Sequence, residues 1–175
     1  KFQLDNSNIK TNFSLKPDFS WACINVDDIT KRYFLEKFIL IFPFSSPQLP
    51  HKQWPYYNQL IKMIKSKHNN LKIVFAPGPE EIKDLKKIEA ISIMNKDKAL
   101  NIIELAGLIK KSSFVIANDT GPAHMAAHLG MKGIVIFGHH TTPRKVSIET
   151  EKFKAMVTDD LAKLSAEKVY NEISS

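Results

Sequence analysis

The chain has 175 residues, of which 43% are hydrophobic; this allows one domain with a substantial core, and no apolar run approaches the roughly 20 residues of a transmembrane helix. A single cysteine, Cys23, excludes an internal disulfide framework and fits a reducing cytoplasm. The formal net charge of +7 comes almost entirely from lysines that are scattered along the chain. Proteins that read DNA sequence favour arginine, so we expect no nucleic-acid binding. We expect the lysines to lie on solvated helix faces, which at most suit phosphate-bearing substrates or an anionic membrane surface.

Strands and helices alternate along most of the chain. Residues 1–25 are polar and irregular, which predicts a linker or edge segment, and residues 28–37 predict a short helix with Ile29, Tyr33 and Phe34 facing inward. The other predicted elements are, in chain order, strand 38–42, helix 54–68, strand 71–76, helix 79–88, strand 91–94, helix 100–111, strand 114–117, helix 122–129, strand 133–137 and helix 166–173.

The predicted strands are apolar on both faces and are separated by helices. This pattern is typical of a parallel sheet that is covered on both sides, with right-handed crossovers. We therefore predict an α/β fold, a Rossmann-like parallel sheet of four to six strands flanked by helices, as a single domain over residues 26–175. Ligands of such sheets bind beyond the carboxyl ends of the strands, so the strand-to-helix turns are the candidate binding sites.

The segment 118–124, Asn-Asp-Thr-Gly-Pro-Ala-His, carries the strongest signal. A buried strand ends there and a helix opens at Pro122, whose fixed φ suits the first helical position, with Thr120 or Gly121 as the N-cap. Gly121 lets a ligand come close to the backbone, and the free N–H groups of a helix start bind anions. Asp119 can accept hydrogen bonds from sugar hydroxyls, so the turn suggests a diphosphate with a sugar beside it. An ordinary capped turn explains the same residues.

Three more connections could contact the same ligand. In the loop 43–55, the hydroxyls of Ser45 and Ser46 and the charge of Lys52 could hold a phosphate, although a Pro-rich surface loop would look the same. A carboxylate in the segment 77–81 could bind ribose, although acidic residues in a first helical turn also simply favour the helix dipole. The loop after the strand 133–137 should lie beside the diphosphate turn.

Histidines raise the question of a metal site. His124 and His128 lie four residues apart on one predicted helix, and His139 and His140 are adjacent. The helix lacks the glutamate of the metalloprotease signature, and the chain has no cysteine pair. We therefore predict histidines that line the core or a pocket, and no metal.

Several segments together resemble the C-terminal half of the ADP-heptose:lipopolysaccharide heptosyltransferases. They occur in the order expected for that family from about residue 38 to the end, and the Asp-Thr-Gly-Pro-x-His stretch is the most specific of them. The chain departs from the family at Phe44, where a glycine is usual, and at His139-His140, where Pro-Thr is frequent. The matching segments are 42–47, 52–55, 77–81, 105–109, 118–127 and 136–138.

The resemblance implies a glycosyltransferase of the GT-B architecture, in which two Rossmann-like domains meet at an active-site cleft. This chain would be the C-terminal, donor-binding domain, inactive alone, and would bind a nucleotide-diphosphate sugar such as ADP-heptose. The sugar would pass with inversion to a lipid-linked saccharide acceptor of lipopolysaccharide type. The N-terminal domain of the same enzyme would hold the acceptor and the catalytic base. The resemblance also implies no cofactor or obligatory metal, and a cytoplasmic location at the inner face of the inner membrane.

The family pattern also assigns site residues by position. His124 belongs to the most specific motif. The adenine ring of the nucleotide would lie near Leu100. Thr120, Gly121 and Pro122 would form the helix start that faces the diphosphate, and Ser45, Ser46 and Lys52 would hold its phosphates. Asp119 would bind the sugar hydroxyls. Glu81 would bind the ribose, with Glu80 as the second choice.

Two other functions fit the same pattern. One is a GT-B transferase or epimerase that uses a UDP-sugar, which the relative affinities for ADP and UDP would distinguish. The other is a non-catalytic Rossmann-like module that binds a partner. A side chain filling the space above Gly121 would favour the module.

Overall fold

The computed structural model describes residues 6–7 and 19–174, except the side chain of Ser174. Most of the predicted linker, residues 1–25, lies outside this part. In the described residues, six strands form one parallel sheet, which confirms the predicted fold class. The strands are β1 Phe38–Phe42, β2 Lys72–Phe75, β3 Ile91–Ser92, β4 Phe114–Asn118, β5 Gly133–Phe137 and β6 Phe153–Val157.

The strand order is β3-β2-β1-β4-β5-β6. The chain moves outward from β1 to β3, returns to the centre, and then moves outward in the other direction from β4 to β6. The connections therefore diverge at the carboxyl ends of β1 and β4, which pair directly from Ile39 opposite Phe114 to Phe42 opposite Ala117. A crevice at this switch point is where such sheets bind ligands.

Helices cover both faces of the sheet. The α-helices are α1 Asp27–Arg32, α2 Tyr57–Lys67, α3 Ile102–Lys111, α4 Gly121–His128, α5 Pro143–Val146 and α6 Ala166–Ser174. The 3-10 helices are Ser20–Ala22, Pro50–Lys52, Pro79–Lys87 and Leu161–Lys163. Among the described residues, no helix has the length and apolar character needed to span a bilayer.

Alternate residues of the central strands point to opposite faces, so the sheet divides the core into two apolar clusters. On one face, Leu40 and Val115 pack with α3 and α4; on the other, Ile41 and Ile116 pack with α2 and α6. Gly107 of α3 leaves no room for a side chain, because an added Cβ would lie 2.4 Å from the carbonyl oxygen of Ile24. The two helical layers fix the central strands, and with them the turns that follow.

Two predictions for secondary structure were wrong in part, and one strand was not predicted. The first helix ends at Arg32, and Phe34 has a φ of 53° and is 80% exposed, so its side chain does not face inward. The segment predicted as helix 79–88 is a 3-10 helix. Strand β6 was not predicted, because it lies at the sheet edge and alternates buried Phe153 with exposed Lys154 instead of forming an apolar run.

Candidate functional site

Two adjoining grooves lie at the carboxyl edge of the central strands. The first, of about 360 Å³, is lined by the loops after β1 and β2 and by the N-terminus of α4. The second, of about 480 Å³, adjoins the same N-terminus on the side of the loop after β5. Thr120 and Gly121 line both grooves, so this turn forms the border between them. Each of the nine site residues that the sequence suggested lines one groove or both.

The N-terminus of α4 is open to the grooves. Thr120 is the N-cap, as one of the two sequence predictions had it, with extended backbone and without a side-chain capping bond, and Pro122 lies in the first turn. A Cβ built on Gly121 would meet no atom within 4 Å. No side chain of the described residues therefore fills the space above Gly121, which argues against the non-catalytic module. Pro122 has no N–H, and the N–H groups of Ala123 and His124 donate to the carbonyl oxygen of Thr120 at 3.0 and 3.3 Å. The N–H of Gly121 is therefore the donor that the helix start can offer to an anion.

Asp119, at the carboxyl end of β4, is the electrostatic centre of the second groove. Its carboxylate accepts hydrogen bonds at Oδ2 from Lys52 Nζ at 2.8 Å and from His140 Nε2 at 3.0 Å, while His124 Nε2 lies 3.6 Å from Oδ1. The Asp119 side chain is only 5% exposed. Burial alone would raise its pKa, but the bonds from His124, Lys52 and His140 outweigh burial and hold the pKa far below its ordinary value. Asp119 is therefore a fixed anion.

His140 is the site residue that the sequence analysis left without a role. Its ring stacks on Phe137 at 6.2 Å between centroids and meets the edge of His51 at 5.6 Å. Burial lowers the pKa of His140, although its bond to Asp119 opposes this effect. The signal in the sequence was the His-His pair that replaces the usual residues of the family after β5.

The loop after β1 presents its backbone and hydroxyl groups to the first groove. Ser45 donates to the carbonyl oxygen of Leu49 at 3.0 Å, and the exposed Ser46 contacts Gln48. Phe44, where the family usually has glycine, turns its side chain into the core against Phe75. Its bulk therefore does not close the groove.

Glu81 and an apolar wall complete the first groove. Glu81 Oε2 accepts the backbone N–H of Gly78 at 2.7 Å, which closes the turn after β2, and its second carboxylate oxygen remains for a ligand. Burial raises the pKa of Glu81, against the effect of the bond from Gly78. The opposite wall contains Leu100, Ile102 and Leu105. Glu80 does not line this groove, so the geometry favours Glu81 of the two candidates.

Asn118 is a further residue whose role the sequence did not reveal. Its fully buried amide donates to the carbonyl oxygen of Pro43 at 2.9 Å and accepts from the backbone N–H of Trp54 at 3.1 Å. The hydroxyl of Tyr57 lies 3.4 Å from the same amide oxygen. This side chain therefore joins both ends of the loop after β1 to the end of β4, across the switch point.

The described residues bring together no group of three or more His, Cys, Asp or Glu side chains suited to a metal ion. The cluster around Asp119 instead combines one carboxylate with Lys52 and two imidazoles. Its hydrogen-bonding capacity suits hydroxyls and phosphate oxygens.

The strand order and the open crevice define a Rossmann-like α/β domain of the GT-B type. The pattern of Glycosyltransferase family 9 (heptosyltransferase) matches residues 2–171, and the chain belongs to this family. Lipopolysaccharide core heptosyltransferase OpsX of Haemophilus influenzae is 28% identical over 116 residues, which cover 63% of this chain and 33% of that protein.

Solved structures show the same fold. E. coli heptosyltransferase WaaC with ADP superposes with a TM-score of 0.67 at 19% identity, over 78% of this chain and 43% of that one. E. coli ADP-heptose lps heptosyltransferase II superposes with a TM-score of 0.65 at 14% identity, over 95% of this chain and 52% of that one. The chain thus spans about a third to a half of the length of these relatives.

Proposed function

We propose that this chain is the donor-binding part of a glycosyltransferase that moves a heptose from ADP-heptose to an acceptor of lipopolysaccharide type, with inversion. The observation that carries the proposal is the open turn Thr120–Gly121 at the border of the two grooves. A nucleotide sugar has its diphosphate between two different groups, and this border offers the N–H of Gly121 and the positive end of the α4 dipole for that diphosphate.

The first groove suits the nucleoside. The free carboxylate oxygen of Glu81 can accept hydrogen bonds from the ribose hydroxyls. The apolar wall of Leu100, Ile102 and Leu105 can cover the flat face of a base, in agreement with the position near Leu100 that the sequence suggested for adenine. OpsX and both E. coli structures are described as heptosyltransferases, and one of those structures holds ADP, which supports adenine over uracil.

The second groove suits the sugar. Asp119 stays ionised at neutral pH and can accept hydrogen bonds from sugar hydroxyls, and His124 and His140 lie beside it. Lys52 pairs with this carboxylate and lines the same groove as Thr120 and Gly121, so its flexible side chain could exchange Asp119 for a phosphate oxygen.

The chemistry follows from these positions. An acceptor hydroxyl attacks the anomeric carbon, the bond from this carbon to the phosphate oxygen breaks, and ADP leaves. Stabilising the charge on the leaving diphosphate requires positive groups, which the start of α4 and Lys52 supply. The acceptor site and the base that takes the hydroxyl proton belong, in this proposal, to a further N-terminal domain of the enzyme, and the whole enzyme works at the cytoplasmic face of the inner membrane.

Isothermal titration calorimetry with ADP and UDP tests the proposal. We expect saturable binding of ADP at sub-millimolar concentration, with UDP at least about tenfold weaker, because the larger adenine ring buries more apolar surface against Leu100, Ile102 and Leu105 than uracil does. A preference for UDP would favour a UDP-sugar transferase or epimerase. Binding of neither nucleotide at millimolar concentration would refute a donor site.

A further inference from the structure

His140 is held rigidly beside Asp119. Its side chain is 7% exposed, with the ring stacked on Phe137 on one side and met by the edge of His51 on another. Its Nε2 lies 3.0 Å from Asp119 Oδ2. A short side chain packed in this way has little freedom to leave the carboxylate.

The surroundings of the ring also select its protonation state. Nδ1 of His140 is buried and has no hydrogen-bond partner among the described residues. A proton on Nδ1 would place an N–H group in a buried position without an acceptor, which costs free energy. The proton therefore resides on Nε2, where it is donated to Asp119. Burial is the largest effect on the pKa of His140 and lowers it, Lys52 and His51 lower it further, and Asp119 opposes them by raising it. The net lowering of the pKa favours the neutral ring.

The two donors to Asp119 Oδ2 differ in mobility. Lys52 has a flexible four-carbon stem and is 20% exposed, whereas His140 is enclosed. If Lys52 turns to the diphosphate, His140 remains as the only close donor to Oδ2 that the structure shows. Among the described residues, the other oxygen, Oδ1, has the 3.6 Å contact with His124, and Asp119 lines the second groove.

We propose that His140 is a positioning residue that keeps the Asp119 carboxylate in place after Lys52 moves to the diphosphate, so that Oδ1 meets the hydroxyls of the donor sugar. This inference rests on the proposed donor function. It predicts that His140 affects the affinity for the sugar part of the donor but not the affinity for the nucleotide part.

Three variants separate this role from a structural one. His140→Met fills the volume without a donor, and His140→Gln keeps an N–H group near the position of Nε2. His139→Met is the matched control, since His139 is the exposed neighbour. Calorimetry with ADP and with ADP-heptose then gives the ratio of the two affinities for each variant and for the unmodified chain.

We expect His140→Met to bind ADP-heptose about tenfold more weakly and ADP within about twofold of the unmodified chain. His140→Gln should recover most of the ADP-heptose affinity, and His139→Met should change neither ligand. An unchanged ratio in His140→Met, or an equal loss of both ligands, would overturn the inference while leaving the donor function standing. Failure of the unmodified chain to bind either ligand would instead refute the donor function and the inference together.

Nitrogen-15 NMR of the imidazoles tests the same arrangement without a ligand. We expect His140 to show one protonated and one unprotonated ring nitrogen at neutral pH. A ring that is doubly protonated at neutral pH, or one that carries its proton on Nδ1, would contradict the proposed donation to Asp119.

Discussion

Lys52 Nζ lies 2.8 Å from Asp119 Oδ2, and this ion pair joins the loop after β1 to the turn after β4. The two residues are far apart in the sequence but meet because their strands are neighbours at the switch point. The pair places a lysine charge in the second groove, which the turn at Thr120 and Gly121 also lines. A diphosphate bound at the start of α4 would compete with Asp119 for this charge.

Replacement of Lys52 by alanine tests that competition. Lys52→Ala should weaken ADP binding about tenfold or more, because a charge-assisted contact to phosphate is lost and Asp119 is left with less compensation. Calorimetry at low and high salt measures the effect. Lys62→Ala is the control, since Lys62 forms only an exposed ion pair with Glu89 and should leave ADP affinity unchanged. Equal effects of the two substitutions would show that general charge, not this contact, governs binding.

Gly121 provides a test of the groove that does not depend on charge. Its missing side chain faces open space, so Gly121→Leu should fold with a melting temperature close to that of the unmodified chain. The leucine side chain would, however, occupy the space where a ligand approaches the α4 backbone, and ADP binding should fall at least about tenfold. Gly121→Ala should bind with an intermediate affinity.

Gly107→Ala is the contrasting substitution for that experiment. A Cβ there would collide with the carbonyl of Ile24, so this change should lower the melting temperature. Full ADP affinity in Gly121→Leu would show that the ligand does not approach this turn.

The central strands were predictable from the sequence because each of them is a continuous run of apolar residues. Phe38–Phe42 is buried on both faces and could only be a central strand. Strand β6 escaped prediction because it pairs on one side only, so its exposed residues, such as Lys154, break the apolar run. The N-terminus of α4 was predictable because Gly121 and Pro122 carry local conformational preferences.

The contacts inside the site were much less predictable. Lys52, Asp119 and His140 come from three different loops, and their meeting depends on strand order, which the sequence pattern left open. The buried state of His140 depends on packing against Phe137 and His51 that no local signal reports. The motif therefore indicated which turn is the candidate binding site but not which side chains contact the Asp119 carboxylate.

The depressed pKa of Asp119 predicts a pH-dependent contribution to stability. Because the folded-state pKa lies below the unfolded value of about 3.9, this contribution is complete above that value and is lost as the pH falls through the folded-state pKa. Asp119→Asn should therefore lower the free energy of unfolding by about 2 kcal/mol at neutral pH, and by progressively less below about pH 4. Urea unfolding over this pH range measures the difference. Asp159→Asn, at an exposed position, is the control, and a difference for Asp119→Asn that is independent of pH would contradict the assignment.

Asn118 connects stability to ligand binding, because its amide holds both ends of the loop that contains Ser45 and Lys52. Asn118→Ala removes these bonds and leaves the buried N–H of Trp54 without its partner, so we expect a loss of about 2–4 kcal/mol in the free energy of unfolding. Asn101→Ala removes only an exposed helix cap and should cost about 1 kcal/mol. At a temperature where both variants are folded, only Asn118→Ala should also weaken ADP binding, because the loop is no longer fixed to β4. Full ADP affinity in a destabilised Asn118→Ala would show that Asn118 supports the fold without positioning the site.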